Sequence, residues 1–160
     1  MGGGGGPYSG GPGDLDALLK RAREESERAK KARKNVFLSF VMEDLNEVNL
    51  LRGQAKNERT DLEFNDWSVR EPYDSKRSDY IRQRISERIA QSSMTVVYVS
   101  EATAQSQWVQ WEIEESHRQG KAVLAVHSGD QPPARLPQAI IDAKVKVVPW
   151  SRLTAELDRM

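Results

Sequence analysis

From residue 35 onward the chain switches in regular alternation between short apolar runs and segments with helical spacing. Val36-Phe37-Leu38-Ser39-Phe40 suits a strand buried on both faces, and residues 44–57 follow with Leu45, Val48, Leu51 and Ala55 one turn apart. Residues 62–66 read as a second strand. A polar loop containing Pro72 leads to a helix over about 79–91, in which Ile81, Ile85 and Ile89 recur every fourth residue. Residues 94–99 form a β-branched third strand. Ser106 caps a helix running to Gln119, and Gly120 stands where a helix is usually terminated. A fourth strand at 122–126, a Pro-rich loop at 128–137, a short helix at 138–142, a fifth strand at 145–148 and a last helix after Ser151 complete the series. Five strands interleaved with helices require crossover connections, hence a parallel sheet covered on both faces. The expected fold is a flavodoxin-like, doubly wound α/β domain over residues 35–160 with a five-stranded parallel sheet. Ligands of such sheets bind outside the carboxyl ends of the strands, where the strand order reverses. Function is therefore expected just after Phe40, Asp66, Val99 and Val126.

The first 34 residues follow a different rule. Residues 1–13 are Gly/Pro-rich with one aromatic, Tyr8, too little apolar surface to offset chain entropy, and read as a disordered tail. Residues 14–34 change to Ala, Leu, Glu, Lys and Arg, with Asp14 placed to cap, and predict a charged helix. Its stripe of Leu15, Leu18, Leu19, Ala22, Ala29 and Ala32 fades along its length. That suits a solvated surface helix, or one that binds a partner or a second copy.

Composition narrows the function. Eight of the 11 glycines lie in the first 13 residues, so neither a Walker-type loop nor a G-x-G-x-x-G turn can form around a pyrophosphate. The absence of Cys removes disulfides, thiolate metal sites and thiol nucleophiles, and fits a reducing, cytoplasmic setting. Lys+Arg and Asp+Glu balance at 24 each, which argues against nucleic acid as a partner. The balance is a sum of unlike parts, since the 14–34 segment carries eight basic and five acidic residues. No apolar run is long enough for a membrane span, and no secretory signal is evident. Met1-Gly2 opens like a myristoylation site, but Gly6 stands where Ser or Thr is needed.

The candidate chemistry gathers at the strand ends. Phe40, Trp67, Trp108 and Trp111 supply flat faces suited to adenine, nicotinamide or flavin rings, although a tryptophan there also serves simply to pack a helix on the sheet. In Ser106-Gln107-Trp108-Val109-Gln110-Trp111-Glu112-Ile113, the face toward the sheet is Val109, Ile113 and Ser116. Trp108 and Glu112 share the adjoining edge, one turn apart, which makes Glu112 a partly desolvated carboxylate beside an indole. The same Glu also suits the helix dipole. Glu114 and Glu115 read as a solvated face. Asp66-Trp67-Ser68 could bond a ribose or simply make a turn. His127 reads as a polar strand-end residue and His117 as exposed. No spacing suggests a metal site. A phosphoacceptor receiver would need acids after strands one and three and a Lys after strand five. The sequence offers Glu43-Asp44, Ser100-Glu101 and Pro149-Trp150, failing at two of these three positions.

Three stretches carry a resemblance: Val36 to Phe40, Phe64-Asn65-Asp66-Trp67-Ser68-Val69-Arg70-Glu71-Pro72-Tyr73-Asp74-Ser75-Lys76, and Ser106 to Glu114. Together, over about residues 35–150, they resemble the TIR-like domain of bacterial Thoeris ThsB proteins. The resemblance implies NAD+ as substrate, with cleavage of the nicotinamide–ribose bond and no metal. It implies Glu112 as the essential carboxylate and Trp108 as the aromatic one turn before it; the strand-end residues Phe40, Asp66, Trp67 and Ser68 are the further substrate-binding candidates. It further implies a cyclic ADP-ribose-type signal to an effector protein during phage infection, with a phage-derived trigger and self-association as further expectations. The alternative is a noncatalytic TIR-like sensor or scaffold. Two departures stand out. The loop Arg70-Glu71-Pro72-Tyr73-Asp74 lacks the Gly of receptor-type homotypic loops, and Val41-Met42 replace the basic or polar residue that enzymatic TIR domains often carry after the first strand.

Overall fold

The computed structural model describes residues 12–32, 34–67 and 72–160. They divide before Lys34 into two compact units, an N-terminal helix and an α/β body. Helix α1 spans Pro12–Ala32, so it starts and ends earlier than the expected 14–34. Pro12 opens it without cost, because a first-turn residue has no intrahelical N–H bond to lose. The tail expected over 1–13 lies outside the described residues except for Pro12 and Gly13. Lys34 belongs to the sheet instead of the helix: its backbone N–H donates to Asp61 O at 3.0 Å and its Nζ to Leu157 O at 2.7 Å. On α1, Leu15, Leu18 and Leu19 are exposed.

In the body, β1 (Lys34–Ser39), β2 (Leu62–Asn65), β3 (Met94–Tyr98), β4 (Ala122–His127) and β5 (Lys146–Pro149) form one parallel sheet in the order β2-β1-β3-β4-β5. This is the expected flavodoxin-like topology. The helices are α2 (Leu45–Glu58), α3 (Ser78–Ala90), α4 (Gln107–Arg118), α5 (Gln138–Asp142) and α6 (Leu153–Arg159). Side chains alternate across the strands. Val36, Leu38, Val96 and Tyr98 face Val48 and Ala55 of α2 and Leu153 and Leu157 of α6. On the other face, Val97 and Ala125 meet Val109 and Ile113 of α4 and Ile140 of α5, while Phe37 meets Ile81, Ile85 and Ile89 of α3. The isoleucine stripe read from the sequence is thus the face that seats α3 on the sheet. β1 lies between β2 and β3, so the chain reverses its direction of travel across the sheet there, and a crevice opens over the ends of β1 and β3. Among the described residues no helix is long and apolar enough to cross a membrane.

The end of α4 fixes where β4 begins. Gly120 has φ +73°, its N–H bonds His117 O at 2.9 Å, and the Lys121 N–H bonds Ser116 O at 2.9 Å. This pair of bonds closes the helix with a left-handed residue. A Cβ at Gly120 would meet nothing within 4 Å, so only backbone strain opposes it. Gly120→Ala is expected to cost about 1 kcal/mol, read as a lower urea midpoint with an unchanged slope.

Candidate active site

Two local signals build the site. Ser106 Oγ accepts from the Val109 N–H at 3.1 Å, starting α4 at the mouth of the β1–β3 crevice. Helical spacing then turns Val109, Ile113 and Ser116 into the core and places Glu112 one turn below Trp108. From the sheet, Ser39 ends β1 in register with Val97 of β3, with its side chain on the same face as Phe37. Ser39 Oγ donates to Glu112 Oε1 at 2.7 Å, and both residues are buried, Glu112 being 4% exposed. Above them lies a cavity of about 340 Å³ walled by Phe40, Trp67 and Trp108, with Val41, Met42, Glu43, Ala102, Gln105 and Ser106 completing the lining and Glu112 in its wall.

Burial dominates the electrostatics of Glu112. Removal from water pushes its carboxyl up to about 8, the Ser39 hydroxyl opposes this by donating to the charged form, and the Asp66 charge adds a smaller upward push. At neutral pH the empty site favours the protonated acid. A cation placed in the cavity would favour ionisation, so binding of a positively charged ring is coupled to loss of a proton. Ser39→Ala removes a hydrogen bond that favours the anion. The Glu112 pKa is expected to rise in that variant, measurable as a later carboxyl titration in a 13C NMR series; an unchanged titration would sever Ser39 from the site.

The sequence candidates separate. Phe40, Trp67, Trp108 and Glu112 come together around one cavity. Asp66 is not among the residues that line it: its Oδ2 takes a 2.9 Å ion pair from Arg52 of α2, and its charge reaches Glu112. Ser68 lies outside the described residues. The tryptophans both line the cavity and pack: Trp67, Trp108 and Trp111 rest against the Phe37–Ile81–Ile85–Ile89 cluster, and Trp108 meets Tyr73 edge-on at 5.0 Å. Glu115 corrects the expected solvated face. It is buried, accepting from Ser86 Oγ at 2.6 Å, Arg118 Nε at 2.6 Å and Gln119 Nε2 at 2.8 Å, and the Arg118 bond leads in holding its carboxyl down to about 2. This ties α4 to α3. Glu114 and His117 are exposed as expected, whereas His127 is a buried strand-end residue whose Nδ1 lies 2.9 Å from Ser128 O. Ser39 is the residue the sequence reading did not single out. A lone hydroxyl inside a run buried on both faces must find a partner, and that was the available signal.

Among the described residues, no three His, Cys, Asp or Glu side chains gather as a metal site requires. No curated protein matches the chain. Solved structures similar to the chain include three at low identity. A 2-deoxyribosyltransferase from the psychrotolerant bacterium Bacillus psychrosaccharolyticus has 16% identity and a TM-score of 0.50, covering 74% of this chain and 89% of its own. A putative pilus assembly-related protein from Burkholderia pseudomallei has 18% identity and a TM-score of 0.46, covering 81% and 90%. The TIR domains of the activated Roq1 resistosome, which recognises the pathogen effector XopQ, have 17% identity and a TM-score of 0.42, covering 79% and 71%. At sequence level, residues 37–132 match the family described as Thoeris protein ThsB, TIR-like domain. That match takes in the second half of β1, β2 to β4, α2 to α4 and the whole cavity lining, more than half of the chain, and the chain therefore belongs to the Thoeris ThsB family of TIR-like domains.

Proposed function

We propose that the chain is an NAD+-cleaving enzyme of anti-phage defence, breaking the nicotinamide–ribose bond and producing a cyclic ADP-ribose-type signal for an effector protein. The observation that carries this reading is the buried Glu112 carboxyl, held by Ser39 at the wall of an aromatic cavity at the switch point of the sheet. The leaving nicotinamide takes the bonding electrons onto its ring nitrogen and needs no proton. What needs stabilising is the positive charge that develops on the ribose, the task of a fixed carboxylate. In a site with little water, one nearby anion acts strongly on that charge. Trp67, Trp108 and Phe40 offer flat faces to the nicotinamide ring and keep bulk water away, which favours capture of the ribose by the substrate's own adenine over hydrolysis. Either capture releases one proton from the attacking group. Asp66 and Ser68 remain proposed contacts to the ribose, with Asp66 first having to leave Arg52.

The competing reading, a noncatalytic sensor or scaffold, rests on the exposed Leu15, Leu18 and Leu19 of α1, an apolar face available to a partner or a second copy. Incubation of the purified chain with NAD+, alone and with lysate of phage-infected cells, separates the two. Nicotinamide release is the expected result. Silence under both conditions, with binding to partners lost on deletion of residues 1–33, would leave the scaffold.

A further inference from the structure

A dinucleotide substrate carries a diphosphate, and among the described residues the cavity that would receive its nicotinamide end presents no cation to meet it. Among the described residues its lining includes Glu43 and Glu112 but no Lys or Arg. Val41 and Met42, which follow β1, are both apolar lining residues.

Among the described residues, arginines of α3 stack on the aromatic walls of that cavity. Arg82 stacks 4.3 Å from the Tyr73 ring centre and 5.7 Å from that of Trp108, but its guanidinium is consumed by Asp79, Ser78 and the Tyr73 carbonyl. Arg84 and Arg88 differ. With Trp67, Glu87 and Gln91 they line a second cavity of about 370 Å³. Arg88 is exposed, stacks 5.1 Å from the Trp67 ring centre and donates to Asp66 O at 3.2 Å, with no carboxylate partner among the described residues. Arg84 pairs with Glu87 at 3.1 Å, both side chains substantially exposed, and stacks 5.2 Å from the Tyr80 ring centre; among the described residues its buried Nε has no hydrogen-bond partner. Trp67 is a wall of both cavities. A ligand that stacks on Trp67 in the first therefore has two arginines behind the same indole.

We propose that Arg84 and Arg88 form a diphosphate subsite, separate from the carboxylate cavity and joined to it at Trp67. The proposal rests on the dinucleotide reading of the site and specifies how that substrate is held. Planar guanidinium groups suit paired phosphate oxygens, and the weak, exposed Arg84–Glu87 pair is one that a phosphate can displace. Glu87 acts as a competitor within the subsite and weakens anion binding at rest.

The probe is ADP, which lacks nicotinamide and the scissile bond, with adenosine as the phosphate-free control, both followed by calorimetry at low salt. ADP is expected to bind the wild type and to bind Arg84→Gln/Arg88→Gln at least tenfold more weakly, while adenosine distinguishes the two little. Glu87→Gln is expected to tighten ADP severalfold, a gain that a misfolded variant could not produce. In turnover, the double variant is expected to raise KM for NAD+ while leaving cleavage of nicotinamide riboside, which has no phosphate, unchanged. Equal ADP affinity in wild type and double variant, or no ADP binding by either, overturns the subsite. Loss of ADP binding in the double variant, in a chain that never cleaves NAD+, supports the anion subsite and removes the cleavage reading instead.

Discussion

Glu112→Gln is expected to lower nicotinamide release from NAD+ by about 10²- to 10³-fold, the loss typical when a group aimed at developing charge is neutralised. The amide keeps the size of the side chain and a carbonyl that still accepts from Ser39 Oγ, so the change isolates charge from shape. His117→Gln, on the exposed side of the same helix, is expected to match the wild type. The acidity of the carboxyl gives a second signature in the same assay. Because the free site ionises near 8, kcat/KM is expected to rise with pH through that value. The limb in kcat is expected at lower pH, since a bound pyridinium favours the anion. The Ser39→Ala variant is expected to move the kcat/KM limb upward, following its effect on the carboxyl. Full activity in Glu112→Gln would end the catalytic role of Glu112, whatever the substrate.

Element types and the parallel, doubly wound sheet were legible because the apolar runs are short, β-branched and separated by helical spacing, the pattern of a covered parallel sheet. Boundaries were less legible where tertiary contacts decide them: Lys34 reads as helix by composition but is drawn into the sheet by Asp61 and Leu157, distant in sequence. The site was half legible. Trp108 and Glu112 follow from spacing within one helix, and Phe40 and Trp67 from their places at strand ends. The partnership of Ser39 with Glu112 was not, because it joins residues 73 apart in sequence across the β1–α4 contact. Glu115 was misread for a related reason. Helical position alone placed it outward, and only the packing of α3 brings Ser86 over it.

Burying an ionisable group at the site has a stability cost that can be measured without any substrate. The Glu112 carboxyl ionises near 4.5 when unfolded and near 8 in the fold, so between these values the folded state holds the extra proton. Stability from this group is therefore full below pH 4.5, declines as pH rises, and is lost above 8, where keeping the anion buried costs on the order of 5 kcal/mol. Glu115 acts in the opposite sense: its depressed carboxyl contributes above its unfolded value near 4.5 and loses that contribution as pH falls toward 2. Glu112→Gln removes the alkaline penalty alone. The variant is expected to melt within a few degrees of the wild type at pH 5 and about 10 °C higher at pH 9, given about 2–4 °C per kcal/mol for a chain of this size. The residue expected to be lost from activity is thus expected to be gained in stability, and only on the alkaline side. A melting difference that stays constant between pH 5 and 9 would mean that Glu112 does not change its charge inside the fold, and the coupling of substrate cation to proton release would fall with it.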